Sequence, residues 1–383
     1  VLTERKIILI KGGHFLKILI LSCSTGGGHN AAAKATAAYL AAHGHDVTLT
    51  DAFALRSERT ARTVGKTYVN VAKSTPRRFG GAYSIAMRIS SDKRRSPVYF
   101  ANGRLRGLLD AYIRKNGFEA VVMSHLFPAE TITDMRRRGM LDIPSVVICT
   151  DYTCIPFWEE THCDAYILPH EDLLPEYAAR GMETSALYPF GIPVSSAFRQ
   201  DISQADAKEQ LGLAPGQRHM LVSGGSIGAG NLERALTLLT GLTQGTNWHV
   251  IAVCGNNDSV RRQLEKKFTG RATLLGSTDK MALYLRACDL YLTKPGGLST
   301  TEAAVARVPL ALLPPIPGCE SRNLKFFTET GMAISAPLSP ATLTQALALP
   351  GNPEALAHMR GCQQALISPN AARQICGLAE GMA

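Results

Sequence analysis

Short apolar runs alternate with helix-like runs along most of the chain. "LKILILSCS" (16–24), "DVTLTDAF" (46–53), "EAVVMSH" (119–125), "PSVVICTD" (144–151) and "AYILPH" (165–170) are rich in Val, Ile and Leu and predict strands. The alanine-rich run 29–43 predicts a helix stopped at Gly44. A second series follows, with "HMLVSGGS" (219–226), "WHVIAVCG" (248–255), "ATLLGS" (272–277), "DLYLT" (289–293) and "PLALLP" (309–314) as strands and helical patterns between them. Strand alternating with helix predicts parallel sheets covered by helices on both faces. Two such series predict an α/β protein of two doubly wound, Rossmann-like domains. The break is expected near "YPFGIPVSSAFRQD" (188–201), where Pro189, Gly191 and Pro193 cluster, with a new helix cap at Ser203 or Asp206. We assign 16–195 to the first domain, 196–365 to the second, and 366–383 to a C-terminal helix packing back on the first.

In open parallel sheets, ligands sit beyond the carboxyl ends of the strands, so two such domains facing each other predict a cleft lined from both. Glycine turns fall at those ends. In "KPGGLSTTEAAVARVP" (294–309), a strand gives way through two glycines to a helix, whose first amides are unpaired and carry partial positive charge. "STGGGHNAAAKA" (24–35) and "SGGSIGAGNLERAL" (223–236) repeat the device. Neither matches a Walker A loop or G-x-G-x-x-G, which argues against a P-loop enzyme and an NAD-dependent oxidoreductase. Each turn alone is also what an ordinary capped helix looks like; three at corresponding strand ends, with Lys294, favour a nucleotide diphosphate cradle. The loop in "GSTDKMALYLRACD" (276–289) lies where a base could stack or bond to backbone.

Candidate chemistry clusters at the same ends. His29, at the mouth of a helix, could donate to a phosphate or accept a proton, or could be a plain surface histidine. Asp151 closes a strand and could serve as a general base, or as a cap. Phe157 and Trp158 offer apolar surface, though core packing is their commoner use. In "PPIPGCESRNLKFFTETG" (314–331), Glu320 and Asn323 share a helix face and could hold sugar hydroxyls or cap the turn.

Composition narrows the class. With 383 residues, 45% hydrophobic and 19% charged, the chain has an ordinary globular balance, and no run of 18 apolar residues exists to span a bilayer. Nine cysteines include no C-x-x-C pair, which argues against zinc and disulfide frameworks and, without a signal sequence, for a reducing cytoplasm. Residues 1–15 start without Met, are broken by Lys6 and Lys11, and are read as an upstream extension. The net charge of +10 is local: residues 52–115 hold fifteen Lys and Arg against Glu58, Asp92 and Asp110. Tyr83, Ile85, Met87, Ile89, Tyr99 and Phe100 are interleaved with them. That mixture suits an anionic membrane surface, with Arg77, Arg78, Arg88, Lys93, Arg94 and Arg95 as its cations, ahead of a solvated helical face or nucleic acid.

"ILILSCSTGGGHNAAAKA", "TDYTCIPFW", "KPGGLSTTEA" and "PIPGCESRN" together resemble the monogalactosyldiacylglycerol synthase and processive diacylglycerol glycosyltransferase family, inverting enzymes of glycosyltransferase family 28 with the GT-B fold. The resemblance runs from about Leu16 to the C-terminus. It implies a first domain that binds the lipid acceptor and meets the membrane, and a second that binds a UDP-sugar. It places Gly225, Ser226, Thr278 and Met281 at the nucleotide, Gly296, Gly297, Ser299 and Thr300 with Lys294 at the diphosphate, and Glu302 at the ribose. Cys319, Glu320 and Asn323 would surround the donor sugar, Gly27 and Gly28 would form the loop on the acceptor side, and His29 and Asp151 would flank the transferred group. Departures from the family are Ser24 for a common Asp, Ile155 for a common His and Cys319 for a common Gln. The expected reaction moves glucose or galactose from UDP to diacylglycerol, or to its monohexosyl form, without a metal or other cofactor, on the inner face of the cell membrane. Either Asp151 or His29 takes the acceptor proton. The alternatives are an N-acetylglucosamine transferase acting on a lipid-linked peptidoglycan precursor, and a non-catalytic UDP-sugar sensor.

Overall fold

The computed structural model describes residues 15–24, 26–74, 76–224 and 232–383. Its first sheet comprises β1 (Lys17–Ser22), β2 (Asp46–Asp51), β3 (Ala120–Met123), β4 (Ser145–Ile148), β5 (Ala165–Ile167) and β6 (Leu187–Tyr188). The second comprises β7 (Arg218–Ser223), β8 (Trp248–Val253), β9 (Ala272–Leu275), β10 (Leu290–Thr293), β11 (Leu310–Leu312) and β12 (Ile334–Ser335). All pairings are parallel, in the orders β2-β1-β3-β4-β5-β6 and β12-β11-β10-β7-β8-β9. The two α/β layers are the doubly wound pair that the periodicity predicts. Ile18, Val121, Val146, Leu221 and Leu292 are fully buried, as strands covered on both faces require.

The strands stop short of the apolar runs that predict them. β4 ends at Ile148, because beyond it Thr150 turns to His29 and the Tyr152 amide bonds Asn323 across the cleft, and β7 ends at Ser223. β6 and β12, two residues each, are too short for any periodicity to register. Between the sheets Ile192, Val194 and Phe198 are buried, and Ser203 caps the next helix by accepting from the Asp206 amide at 3.1 Å.

The helix Ala371–Met382 lies against the first sheet, where Ile375 and Cys376 join a cluster with Ile18, Ala33 and Leu40. His45 stitches it down: Nδ1 accepts from the Leu16 amide at 3.2 Å, and Nε2 meets Glu380 Oε1 at 3.0 Å. His45, Cys376 and Glu380 stand close enough to suggest a metal site. Because Nδ1 accepts an amide proton, Nε2 must carry its own and donate it to Glu380, which leaves no lone pair for an ion.

The halves touch at their glycine turns. A Cβ on Gly28 would meet Leu298 at 3.5 Å, whereas one on Gly297 would lie 1.9 Å from the Thr150 carbonyl oxygen. Both sides of that second contact are backbone, so neither can swing away. Gly297→Ala is therefore expected to cost about 1–3 kcal/mol through overpacking. Calorimetry should show a lower Tm; an unchanged Tm would mean that the halves do not rest on one another here.

Candidate functional site

The first glycine turn is fixed from below. Asp51, at the end of β2, accepts from the amides of Ser24 and Phe53, each at 2.8 Å, and the helix Gly27–Ala42 then begins with His29 in its first turn. His29 Nδ1 lies 2.9 Å from the Ser124 carbonyl oxygen and 2.9 Å from Thr150 Oγ1. A carbonyl only accepts, so Nδ1 carries the proton and Nε2 keeps its lone pair, an assignment made from the partners. No described group hydrogen-bonds Nε2. Burial lowers the pKa of this imidazole, opposed in part by Asp151 and by the bond to Ser124. His29 is thus neutral at pH 7, with a free acceptor nitrogen and a carboxylate nearby.

A second histidine, read from the sequence only as a strand end, stands edge-on to it. His125 lies 4.5 Å from His29 between ring centroids, and its Nδ1 caps the next helix by accepting from the Phe127 amide at 3.1 Å. Burial, then His29, pulls its pKa well below the usual value. Thr150, Ser124 and His125 were invisible as site residues because none carries a motif of its own.

Asp151 is joined to the other half of the molecule. Asn323, fully buried, donates from Nδ2 to Asp151 Oδ1 at 2.9 Å and to the Pro295 carbonyl at 3.0 Å. Its Oδ1 accepts from the Tyr152 amide at 2.7 Å. Asn323 therefore does not face a donor sugar, as the resemblance implied; its whole amide is spent on the junction. Beside it, Tyr152 stacks on Phe326 at 4.7 Å and shares a 2.8 Å hydrogen bond with Thr301. The Cys319 thiol lies within hydrogen-bonding reach of Asp151, and burial with the Asp151 and Glu320 charges raises its pKa well above the usual thiol range.

The second half supplies a helix start with unpaired amides. In the helix Gly297–Ala306, capped at Gly296, the first intrahelical bond runs from the Thr300 amide to the Gly296 carbonyl. The amides of Gly297, Leu298 and Ser299 precede it and are the free ones. The Thr300 hydroxyl is fully buried and donates back to the carbonyls of Gly296 and Gly297, so it offers nothing to a phosphate. Half-buried Ser299 remains the side chain at that turn. Lys294 is ion-paired with Glu320, whose other oxygen accepts from the Ile316 amide at 2.9 Å. Lys294 is therefore no bare cation, and Glu320 holds a loop before it could hold a sugar. Glu302 is half-buried with no hydrogen-bond or ion-pair partner among the described residues, and loss of solvent pushes its carboxyl up to about 8.

Thr278 Oγ1 accepts from the Lys280 amide at 3.1 Å, and Met281 opens the following helix against the core, both just past β9. Gly225 and Ser226 lie outside the described residues, as do the side chains of Arg77 and Arg78. Arg88, Lys93 and Arg94 are exposed, in company with Ile85, Ile89 and Phe100. Arg95 is not free for a membrane: it donates to the Asp92 carbonyl and to His162, and lies over the Tyr99 ring. No helix among the described residues is long and apolar enough to cross a membrane.

Two parallel α/β layers meeting at their glycine turns, with an imidazole and a carboxylate between them, define the GT-B class of fold. Residues 29–194 match the monogalactosyldiacylglycerol (MGDG) synthase model and residues 219–347 the glycosyltransferase family 28 C-terminal domain, one match in each half of the chain. The processive diacylglycerol beta-glucosyltransferase of Bacillus licheniformis is 28% identical over 246 residues, 63% of this chain and 63% of that protein. The alignment thus spans a little under two thirds of that relative. The enzyme of the same description from Bacillus pumilus is 25% identical over 321 residues, 83% of this chain and 82% of the relative. Among solved structures, the glycosyltransferase of kitacinnamycin superposes with a TM-score of 0.66 at 14% identity, covering 97% of this chain and 100% of that one, a likeness of fold.

Asn323→Ala would leave the Tyr152 amide, the Pro295 carbonyl and Asp151 each short of a partner. Since a buried polar group left unpaired costs roughly 1–3 kcal/mol, the variant should lose about 3 kcal/mol in urea denaturation. A loss below about 0.5 kcal/mol, within the range of an ordinary surface change, would show that the junction does not depend on it.

Proposed function

We propose that this protein transfers a hexose from a UDP-sugar to the free hydroxyl of diacylglycerol, or of its monohexosyl form, at the cytoplasmic face of a membrane, inverting the sugar to a β-glycoside. The observation that carries the reading is His29: a neutral imidazole with its tautomer fixed by Ser124 and its Nε2 unclaimed, beside Asp151, at the meeting of two GT-B halves. In this scheme the acceptor oxygen attacks the anomeric carbon while the bond from that carbon to the diphosphate oxygen breaks. The electron pair leaves with UDP, and the acceptor proton passes to His29 Nε2. Asp151, already fixed by Asn323, stabilises the imidazolium that results.

The departing diphosphate would meet the amides of Gly297, Leu298 and Ser299 and the positive end of their helix, which supply the stabilisation without a metal. Glu302, the unpartnered carboxyl farther along that helix, suits the ribose hydroxyls. The exposed Ile85, Ile89 and Phe100 among cations support docking on an anionic bilayer. The names of the relatives favour glucose as the sugar and the name of the family model favours galactose.

The reading is tested by incubating the protein with diacylglycerol vesicles and, separately, UDP-glucose and UDP-galactose, and weighing the lipids by mass spectrometry. A mono- or dihexosyl diacylglycerol is expected with one donor; none with either, while UDP still binds, overturns it. His29→Gln should lower kcat by about 10²–10⁴ with UDP affinity kept. Because burial favours the neutral base, the acid limb of kcat/KM should fall below pH 6.5.

Glu302 adds a separate expectation. With its pKa near 8 the free carboxyl is mostly protonated at pH 7, whereas two ribose hydroxyls need an anion to accept them. UDP binding should therefore release a proton and tighten as pH rises from 6 to 8. Calorimetry in buffers of different ionisation enthalpy measures this, and Glu302→Gln should abolish it. Binding by the native protein without proton release would remove Glu302 from the ribose site.

A further inference from the structure

The helix Pro76–Ile89 presents two working faces. On one, Gly80, Tyr83 and Met87 form a wall of a groove of about 620 Å³, whose opposite wall is Pro317, Gly318 and Arg322 from the second half of the molecule. On the adjoining face Ile85 and Ile89 are 59% and 57% exposed. One turn of helix thus separates a surface suited to a bilayer from a groove leading inward.

The walls are brought together by glycines. A Cβ on Gly80 would lie 2.7 Å from Pro317 Cβ, and Gly318, at φ +128°, has the Tyr83 ring 3.3 Å from where its Cβ would be. The Tyr83 hydroxyl is buried and has no hydrogen-bond partner among the described residues. Such a group is normally satisfied, so an absent oxygen acceptor is implied. Its surroundings say where it stands: after burial, the charges of Cys319 and Asp151 are the largest influences raising its pKa. The hydroxyl is therefore within electrostatic reach of Asp151, on a ring packed against Gly318 of the opposite wall.

We propose that this groove, built from both halves, seats the glycerol end of the acceptor lipid, and that the Tyr83 hydroxyl donates to an ester carbonyl of that lipid. The inference rests on the glycosyl-transfer reading above. Glycine, methionine and proline surfaces with one buried unclaimed donor match a neutral diester, whose only acceptors besides its own hydroxyl are two ester groups, while Arg88 and Arg322, which also line the groove, are exposed to solvent. Bound this way, the lipid keeps its chains toward Ile85 and Ile89 and turns its free hydroxyl to His29 and Asp151. Tyr83 is a positioning residue: it orients the acceptor and takes no proton.

The test begins with binding. Vesicles of phosphatidylglycerol and phosphatidylcholine carrying a diacylglycerol with a diazirine near the ester are irradiated with the full chain, and labelled peptides are mapped by mass spectrometry. Label within 80–88 and 315–322 is expected. Label confined to other segments overturns the proposal, whether or not sugar is transferred, so a failure of the enzymatic reading shows separately as an absence of glycolipid. Gly81 also lines the groove, and its Cβ would meet nothing within 4 Å, so Gly81→Trp fills the space without displacing protein. It should abolish that label, and in turnover raise KM for diacylglycerol at least tenfold, with UDP affinity and Tm unchanged. Tyr83→Phe should lower kcat/KM for diacylglycerol about tenfold, the loss expected for one hydrogen bond, and leave a dialkylglycerol, which has no ester carbonyl, unaffected. Equal losses on ester and ether lipids, or none on either, remove Tyr83 from the role.

Discussion

The cleft depends on one amide. Asn323 touches Asp151, the backbone of Tyr152 and the backbone of Pro295 at once, and it does so from the half of the molecule that does not contain Asp151. No other residue type supplies two donors and an acceptor in one short plane. Aspartate there would set a second carboxylate against Asp151, and glutamine would need room that a fully buried site lacks. Close by, Gly297 lets the start of its helix press on the Thr150 carbonyl, and the hydroxyl of the same threonine lies beside His29. The Asp151 carboxylate and the helix start are thus located by contacts across the junction, and His29 is tied to it through Thr150. In the proposed reaction, these groups stand together only while the halves do.

That junction also decides how charge is handled. Lys294 is held by Glu320, and among the described residues neither Asp151 nor Glu302 has a cationic partner in an ion pair. An anionic ligand is consequently left to the amides at Gly297, Leu298 and Ser299, a fixed dipole that needs no counterion of its own. A diphosphate seated there would compete with Glu320 for Lys294. Glu320 also holds the Ile316 amide, so loosening that pair would act on the 314–318 loop, one wall of the acceptor groove.

Most of the fold was legible because buried parallel strands announce themselves as unbroken apolar runs, and the turns at their carboxyl ends as glycine clusters. The positions of His29, Asp151 and the Gly296–Gly297 turn follow from that alone. The direction in which a side chain points does not. Thr300 reads as a phosphate ligand yet turns its hydroxyl to its own helix, and Asn323 reads as a sugar ligand yet is consumed by backbone across the cleft. His125 hid at the end of an apolar strand, and Tyr83 hid in a segment whose charge drew attention to its surface. For Asn323 the deciding partner is far off in sequence, 171 residues away for the bond to Tyr152, so no local pattern records it.

Tyr83 shows why the basic segment and the cleft belong to one device. A helix that only docked on lipid would be free to stand away from the rest of the protein. This one presses Gly80 against Pro317 and the Tyr83 ring against Gly318, and Arg180 Nη1, anchored by Glu159, donates to Met87 Sδ at 3.1 Å. Those contacts come from both halves. The face bearing Ile85 and Ile89 is therefore held in a fixed relation to Asp151, so that a bilayer touching that face lies at the mouth of the groove. Under the proposed reading, orientation on the membrane would then cost the acceptor little further search, since the surface that recruits the protein would also be the one from which its lipid enters.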